Sequence, residues 1–476
     1  SNARVSTQTP TDSRWWKAFN DPALDRLIDL AYRQNLPLQV AGLRIAESRA
    51  RLAIATGQQF PQSQVVYGRG GAVGVTKQKA QAFRVDRNFF DYELGFDATW
   101  ELDLWGKYRR GVEAEAAGLL ASVADYRDAL VSLTAEVART YAVIRTFQVL
   151  VEQAQQNVAL QEEGLRIADS HFRNGATSEL DVAQATALLE STRASIPELR
   201  RDLEQAQNAL GTLLGQPIAT FDPLLAGPKE IPKAPEQVAI SVPAELLRRR
   251  PDIRSAELNA AAQCARIGIA KSELYPSFSI FGEVGLQANS VGPGSHNLFS
   301  PDALFYSVGP RIVWPFFNYG RLKNGVRVED ARFQQLLVHY QNTVLRAAQE
   351  VEDSLVGFVN SREALLSREA AVKAALRAEE LALIQYREGA EDYQRVLDAQ
   401  RSLLQEQNDL AEVRSSVATS WIAVYKALGG GWEFSRGKGF VPEPMQREMK
   451  ERTDWGDLLS EPRSPEKNAS PPEGEK

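Results

Sequence analysis

The sequence predicts a membrane α+β fold made by internal duplication, in which a β-barrel is continued by a barrel of long helices. Three observations predict it. The stretch Tyr92–Gly106 alternates apolar and acidic residues with the period of a β-strand. That stretch recurs 214 positions later, at Tyr306–Gly320. Each copy is followed by a proline-free amphipathic run far longer than an ordinary globular helix.

In the first stretch, Tyr92, Leu94, Phe96, Ala98, Trp100, Leu102 and Leu104 share one face. Glu93, Gly95, Asp97, Thr99, Glu101 and Asp103 share the other. An aromatic outer face with a charged inner face marks a transmembrane barrel strand, although an amphipathic strand of a soluble sandwich alternates in the same way. On the barrel reading, Tyr92, Phe96, Trp100, Tyr306 and Trp314 face lipid, and Glu93, Asp97, Glu101 and Asp103 line the lumen. Four acids on one strand face define neither a nucleophile nor a substrate pocket, so no catalytic residue is assigned.

The repeat is exact in register over a long span. Tyr92, Gly95, Trp100 and Gly106 match Tyr306, Gly309, Trp314 and Gly320. Gly111, Tyr126 and Val137 match Gly325, Tyr340 and Val351, and FRNGA at 172–176 matches YREGA at 386–390. Upstream, FPQ at 60–62 echoes YPS at 275–277, now 215 apart. The unit is roughly two hundred residues long.

Composition bounds the classes. The chain has 476 residues, 43% hydrophobic and 24% charged, with a net charge of −6, which argues against a dedicated nucleic-acid binder. No run of eighteen apolar residues is present, which leaves barrel strands untouched as an option. Cys264 is the only cysteine, and His171, His296 and His339 have no metal-ligand spacing, so no metal or cofactor is expected. Ser1-Asn2-Ala3 reads as a cloning remnant, with any signal peptide or acylated N-terminal cysteine removed.

In order, residues 1–21 are expected to be extended, with Trp15 and Trp16 packing as an anchor. The first repeat is 22–215. It opens with a helix from Pro22 to about Asn35, capped by Asp21, and a second from Leu38 to about Gln59. A hairpin over 62–105 follows, its strands joined by a polar loop at 76–91. The Gly-rich strand 63–75 lacks the Gly-Lys-Ser/Thr and the helix that a phosphate loop needs. From about Lys107 to Phe172, Leu130, Leu133, Val137, Tyr141 and Ile144 advance by threes and fours, predicting a helix roughly 95 Å long. Asn174-Gly175 ends it, and Ser178-x-x-Asp181 reads as a capping box for the returning helix to Leu214.

Residues 216–245 are proline-rich and read as an extended connector. The second repeat is 246–428. It has a helix from Pro251 to about Leu274 and a hairpin over 276–317 with a loop at 289–301. A long helix over 321–387 and a last helix over 392–427 complete it. Residues 429–476 form a C-terminal segment, expected to be disordered from about 443.

Four strands cannot close a barrel. Two chains would give eight strands and a filled interior; three would give twelve and room for a channel. In each copy the two shorter helices together match the long one, so a cylinder around 100 Å long is expected.

The motifs WWKAFNDPALDRLI, WELDLWGKYRR, LLRRRPDIRSAE, YPSFSIFG, YREGAEDYQRVLDAQRSLL and ALGGGW occur in this order over about 15–432. On these the chain resembles the outer-membrane efflux channels of the TolC/OprM type, in the lipoprotein branch that pairs with resistance-nodulation-division pumps. The resemblance implies a homotrimer with a twelve-stranded barrel and a periplasmic α-helical barrel whose equatorial zone includes the connector. It implies outer-membrane lipid around the barrel and export through a periplasmic adaptor from an inner-membrane pump. It also implies a lipid anchor on an N-terminal cysteine. By motif, the periplasmic gate maps to an aspartate ring at Asp398 and a tyrosine at Tyr386. Gln394 stands where relatives often carry an apolar second constriction, and Arg387 and Asp181 are candidate latch partners. The competing readings are a non-enzymatic periplasmic coiled-coil adaptor or structural protein, and a hydrolase, for which no catalytic constellation is found.

Overall fold

The computed structural model describes residues 5–6, 14–83, 86–227, 229–235, 238–239, 250–291 and 297–459. The expectations for residues 1–4, 7–13, 240–249, 292–296 and 460–476 lie outside the described residues.

The elements in chain order are β1 (Val5–Ser6), α1 (Pro22–Gln34), α2 (Leu36–Gly57), β2 (Ser63–Gly74), α3 (Lys77–Phe83) and β3 (Asn88–Leu102). Then come α4 (Lys107–Arg173), α5 (Glu179–Leu214), α6 (Ile218–Leu225) and β4 (Val238–Ala239). The second repeat supplies α7 (Pro251–Ser272), β5 (Ser277–Asn289), β6 (Leu304–Val313), α8 (Arg321–Arg387) and α9 (Tyr393–Ala427), and α10 (Glu443–Arg452) follows. The long helices α4 and α8 have 67 residues each, so each rises roughly 100 Å. No described helix is long and apolar enough to cross a membrane.

Contacts divide the chain into two compact units, and each takes part of both repeats. One comprises 45–122 and 255–340. It holds an antiparallel four-stranded sheet in the order β2-β3-β5-β6. The sheet is open, with β2 and β6 as its edges.

The other comprises 1–44, 123–254 and 341–476 and is mainly helical. Asp21 caps α1, accepting from the N–H groups of Ala23 (2.9 Å) and Leu24 (3.4 Å), and Pro22 fills the first turn, where its missing N–H costs nothing. Leu24, Leu27, Ile28 and Ala31 are buried at steps of three and four. Trp15 and Trp16 are both buried: Trp15 stacks on Tyr425, and Trp16 meets Phe434 edge-on. Val396, Leu397, Leu403, Leu410, Val417, Trp421 and Val424 give α9 a continuous buried stripe.

Several local expectations are corrected. Trp15–Phe19 is a 3₁₀ helix and not extended chain. The expected loop after β2 contains α3, whose sequence KQKAQAF consists mostly of good helix formers. The expected connector contains α6, which buries Phe221 and Leu225, one turn apart. The tail expected to be disordered from 443 begins with α10, which buries Met449 and has Pro444 in its first turn. The strand expected to reach 317 ends at Val313, so Trp314 lies just past it.

Candidate functional site

The register of the sheet sorts its side chains into two faces, because neighbours across strands lie on the same side. Tyr92, Leu94, Phe96 and Trp100 pair with Ala288, Leu286, Val284 and Ile280. Val284 and Ile280 pair in turn with Tyr306 and Pro310 on β6. The opposite face carries Glu93 between Arg69 and Gln287, Asp97 between Val65 and Glu283, and Glu101 beside Ser279.

This sheet is inside out by the standard of a water-soluble domain. Along β3 the apolar positions Tyr92, Leu94, Phe96 and Trp100 are exposed, at 40–43%. The acids between them are less so: the Glu93 side chain is 11% exposed. Apolar exposure continues on β6, where Tyr306 is 77% and Val308 72% exposed. A contiguous apolar face of this size is the mark of a partner or of lipid.

The polar face is cross-linked. The single proton of the Tyr67 hydroxyl is shared between Glu283 (2.7 Å) and Glu93 (2.9 Å), and Arg69 forms an ion pair with Glu93. Tyr108 donates to Glu101 at 3.1 Å, and Lys107 lies 3.6 Å from it. Tyr67 lies over Gly95, where a Cβ would stand 2.7 Å from the ring; Phe281 lies over Gly309, where the distance would be 3.5 Å. These two ring-over-glycine pairs are repeat mates. Asp103 has a different place. It follows the end of β3 and accepts from the backbone N–H of Tyr108 (3.1 Å) and Arg109 (2.9 Å). It anchors the first turn of α4, where a carboxylate is favoured by the helix dipole. Arg69, Tyr67 and Glu283 escaped the sequence reading, although the alternation of β2 and β5 against β3 could have placed them.

The two helix tips are built alike. Gly175 and Gly389 take φ of 73° and 72° as left-handed caps. Ala176 N–H bonds to His171 O (2.8 Å), and Ala390 N–H to Gln385 O (2.9 Å). The expected capping box is absent, since the Ser178 side chain makes no cap bond; Asp181 instead accepts from the Thr177 hydroxyl.

Tyr386 is buried beside this tip. Its ring packs on His171 and Tyr393, each 4.9 Å between centroids, in a cluster with Ile167, Leu188, Val396 and Leu397. Burial, and then the Asp181 charge, pushes the Tyr386 phenol above its ordinary range. Burial pushes the Tyr393 phenol up as well, with Tyr386 and Asp181 adding to it. Arg387 points to Glu163 (3.4 Å) and not to Asp181, and Arg166 holds the same carboxylate at 2.6 Å. Asp398 is exposed and accepts from Gln394 at 3.0 Å, one turn back on α9. Below it, buried Glu379 accepts from buried Gln400 at 3.4 Å, and burial raises the Glu379 carboxyl above its usual range. Thus Tyr386 and Asp181 share one neighbourhood, while Asp398 and Gln394 form a separate exposed pair. Glu163, Thr177, Glu379 and Gln400 were not singled out from sequence. Only Glu163-x-x-Arg166, an (i, i+3) charge pair, leaves a local signal. No metal-holding group of His, Cys, Asp or Glu occurs among the described residues.

The family model described as "Outer membrane efflux protein" matches residues 27–216 and 242–430, one match per repeat. The pyoverdine export outer membrane protein OpmQ of Pseudomonas putida is 31% identical over 431 residues, covering 90% of each chain. The toluene efflux pump outer membrane protein TtgI of Pseudomonas putida is 31% identical over 427 residues, covering 88% of this chain and 87% of that one. Among solved structures, the outer-membrane channel OprN superposes with a TM-score of 0.83 at 34% identity, covering 90% of this chain and 95% of that one. An inside-out sheet, a duplicated helix-hairpin plan and a match over both repeats lead to one conclusion: the chain belongs to the outer membrane efflux proteins.

Proposed function

We propose that three copies of this outer membrane efflux protein close a twelve-stranded barrel and form a passive exit duct. The observation that carries the reading is the open sheet with its apolar face more exposed than its acidic one. In lipid every strand edge must be paired, so four strands need further copies. Three copies leave a water-filled lumen, which the acids Glu93, Asp97 and Glu101 would line. Tyr92, Phe96 and Trp100 would face lipid with Tyr306, and Trp314 would sit at the membrane boundary, where an indole is favoured.

The long helices would extend the duct into the periplasm and receive cargo from an adaptor protein and an inner-membrane resistance-nodulation-division pump. The duct performs no chemistry on its cargo. The relatives named for pyoverdine, toluene and antibiotic export fit a conduit whose selection is made upstream. One relative is named an outer membrane lipoprotein, which supports a lipid anchor on a cysteine at the mature N-terminus.

The tip would be the gate. A ring of three Asp398 carboxylates in a narrow tube would hold cations and resist crowding. Tyr386, buried against Tyr393, would hold α8 to α9, and the Arg387–Glu163 pair would hold α8 to α4.

Purified protein added to planar bilayers tests the duct. Discrete, cation-preferring conductance steps are expected. Bilayers that stay sealed at protein concentrations where the chain is inserted would contradict it.

A further inference from the structure

The duplication predicts contacts that one chain cannot make by itself. Trp105, at the end of the first hairpin, stacks on Tyr275, at the start of the second, with centroids 4.7 Å apart and planes at 22°. Its indole N–H donates to the Pro276 carbonyl at 2.7 Å. Adding 214 to Trp105 gives Tyr319; subtracting 215 from Tyr275 and Pro276 gives Phe60 and Pro61. These mates have no such contact within the chain. Tyr319 is 101% exposed and held at a φ of 49°, a strained setting for a bulky side chain, and Phe60 is 63% exposed. Two exposed aromatics stand where the other repeat has a stacked pair.

The strands carry the same message. In the chain, β3 pairs with β5 so that Gly95 lies opposite Gly285. Moving each by 214 places Gly309 of β6 opposite Gly71 of β2, the two free edges of the sheet. Sizes fit along the lipid-facing side of that ladder. Tyr306 would meet Gly74, Val308 would meet Ala72 and Ile312 would meet Gly68, as Tyr92 meets Ala288 within the chain. The operation also opposes Arg311 to Arg69, as Asp97 opposes Glu283 in the chain, and Glu93 already neutralises Arg69. Pro310 withholds at most one ladder donor.

We infer that β6 of one copy pairs with β2 of the next in the Gly309–Gly71 register, and that Tyr319 closes the seam by packing on Phe60 of the neighbouring copy. The inference rests on the three-copy barrel and adds its register and its aromatic clasp. The occupant of both edges is a second copy of this chain, because the repeat mates of those edges are already paired to each other.

Disulfide trapping tests the register, in detergent-solubilised full-length protein whose Cys264 is replaced by alanine. Val308→Cys with Ala72→Cys should give covalent dimers and trimers at least fivefold more abundantly than Val308→Cys with Gly70→Cys or Gly74→Cys. A bond within one chain is excluded, since β2 and β6 are three strand spacings apart, about 14 Å. If a slipped pair dominates, or none cross-links while the mass is that of three chains, the register is wrong and the barrel stands. A single-chain mass overturns the barrel reading beneath it. Independently, Tyr319→Ala and Phe60→Ala should each speed dissociation of the trimer about three- to tenfold, and the double variant no further. Unchanged or multiplicative rates would overturn the clasp.

Discussion

Trp100 and Trp314, 214 positions apart, each donate an indole N–H to a backbone carbonyl at the end of a preceding helical segment. Trp100 reaches Gln59 O at 3.3 Å, and Trp314 reaches Leu274 O at 3.2 Å. Gln59 and Leu274 are themselves repeat mates. The duplication therefore preserves single hydrogen bonds as well as folds. Both indoles are about half exposed, so each leaves an apolar ring uncovered while its polar edge is satisfied. Trp100→Phe and Trp314→Phe should keep the ring and lose the bond, each costing about 1 kcal/mol. Thermal denaturation in detergent should show two losses of similar size. A large difference between them would contradict their equivalence.

The ring-over-glycine pairs are equivalent in position and unequal in tightness. Gly95→Ala drives a methyl into Tyr67 and should cost about 1–3 kcal/mol. Gly309→Ala meets Phe281 at ordinary van der Waals distance and should cost much less. Tyr67→Ala should relieve Gly95→Ala in a double variant. Denaturation midpoints of the four variants against the unsubstituted protein check this, and equal losses for the two glycines would contradict it.

A titrating carboxyl lies away from the strands. Asp128 sits in a polar cavity of about 170 Å³ with Arg250, Asp252, Glu350 and Lys426. Burial, and then the Asp252 charge, pushes its carboxyl up to about 6, with Arg250 opposing. A raised carboxyl stabilises the fold below its unfolded value near 3.8, and that stability is lost as pH rises through about 6. Asp128→Asn should therefore stabilise the protein by about 1–3 kcal/mol at pH 8 and by almost nothing at pH 4. Melting of both proteins at the two pH values decides it, and a benefit greater at pH 4 would reverse the sign.

At the tip, Asp398→Ala with Tyr386→Phe should raise single-channel conductance and weaken cation preference. Tyr386→Ala should do more harm to stability, about 3–5 kcal/mol, because it empties a packed site between His171 and Tyr393. Arg387→Ala should have a small effect alone, since Arg166 still holds Glu163. Bilayer recordings and melting curves together separate these outcomes. Unchanged conductance and selectivity in the double variant would remove Asp398 and Tyr386 from the gate.

The strands, the two long helices and their glycine caps were legible because each writes a short period or a local stop signal. The polar partners were not. Arg387 and Glu163 lie 224 positions apart, and no local pattern joins them. Asp103 continued the alternation of β3 and so read as a wall residue, although the strand had ended and the carboxylate had turned to cap α4. Trp314 misled in the same way past β6. Tyr386 was found by motif, but its burial follows from four helices meeting at the tip, which periodicity alone does not specify. The short helices α3, α6 and α10 were hidden in stretches whose average composition is polar or proline-rich.

A four-stranded sheet with two free edges needs further copies of the chain to close in a membrane. Light scattering coupled to size-exclusion chromatography in detergent measures that directly. A protein mass of three chains of 52.7 kDa, 158 kDa in all, is expected, with precipitation when detergent is withdrawn. A monodisperse single chain that stays in solution without detergent would contradict it.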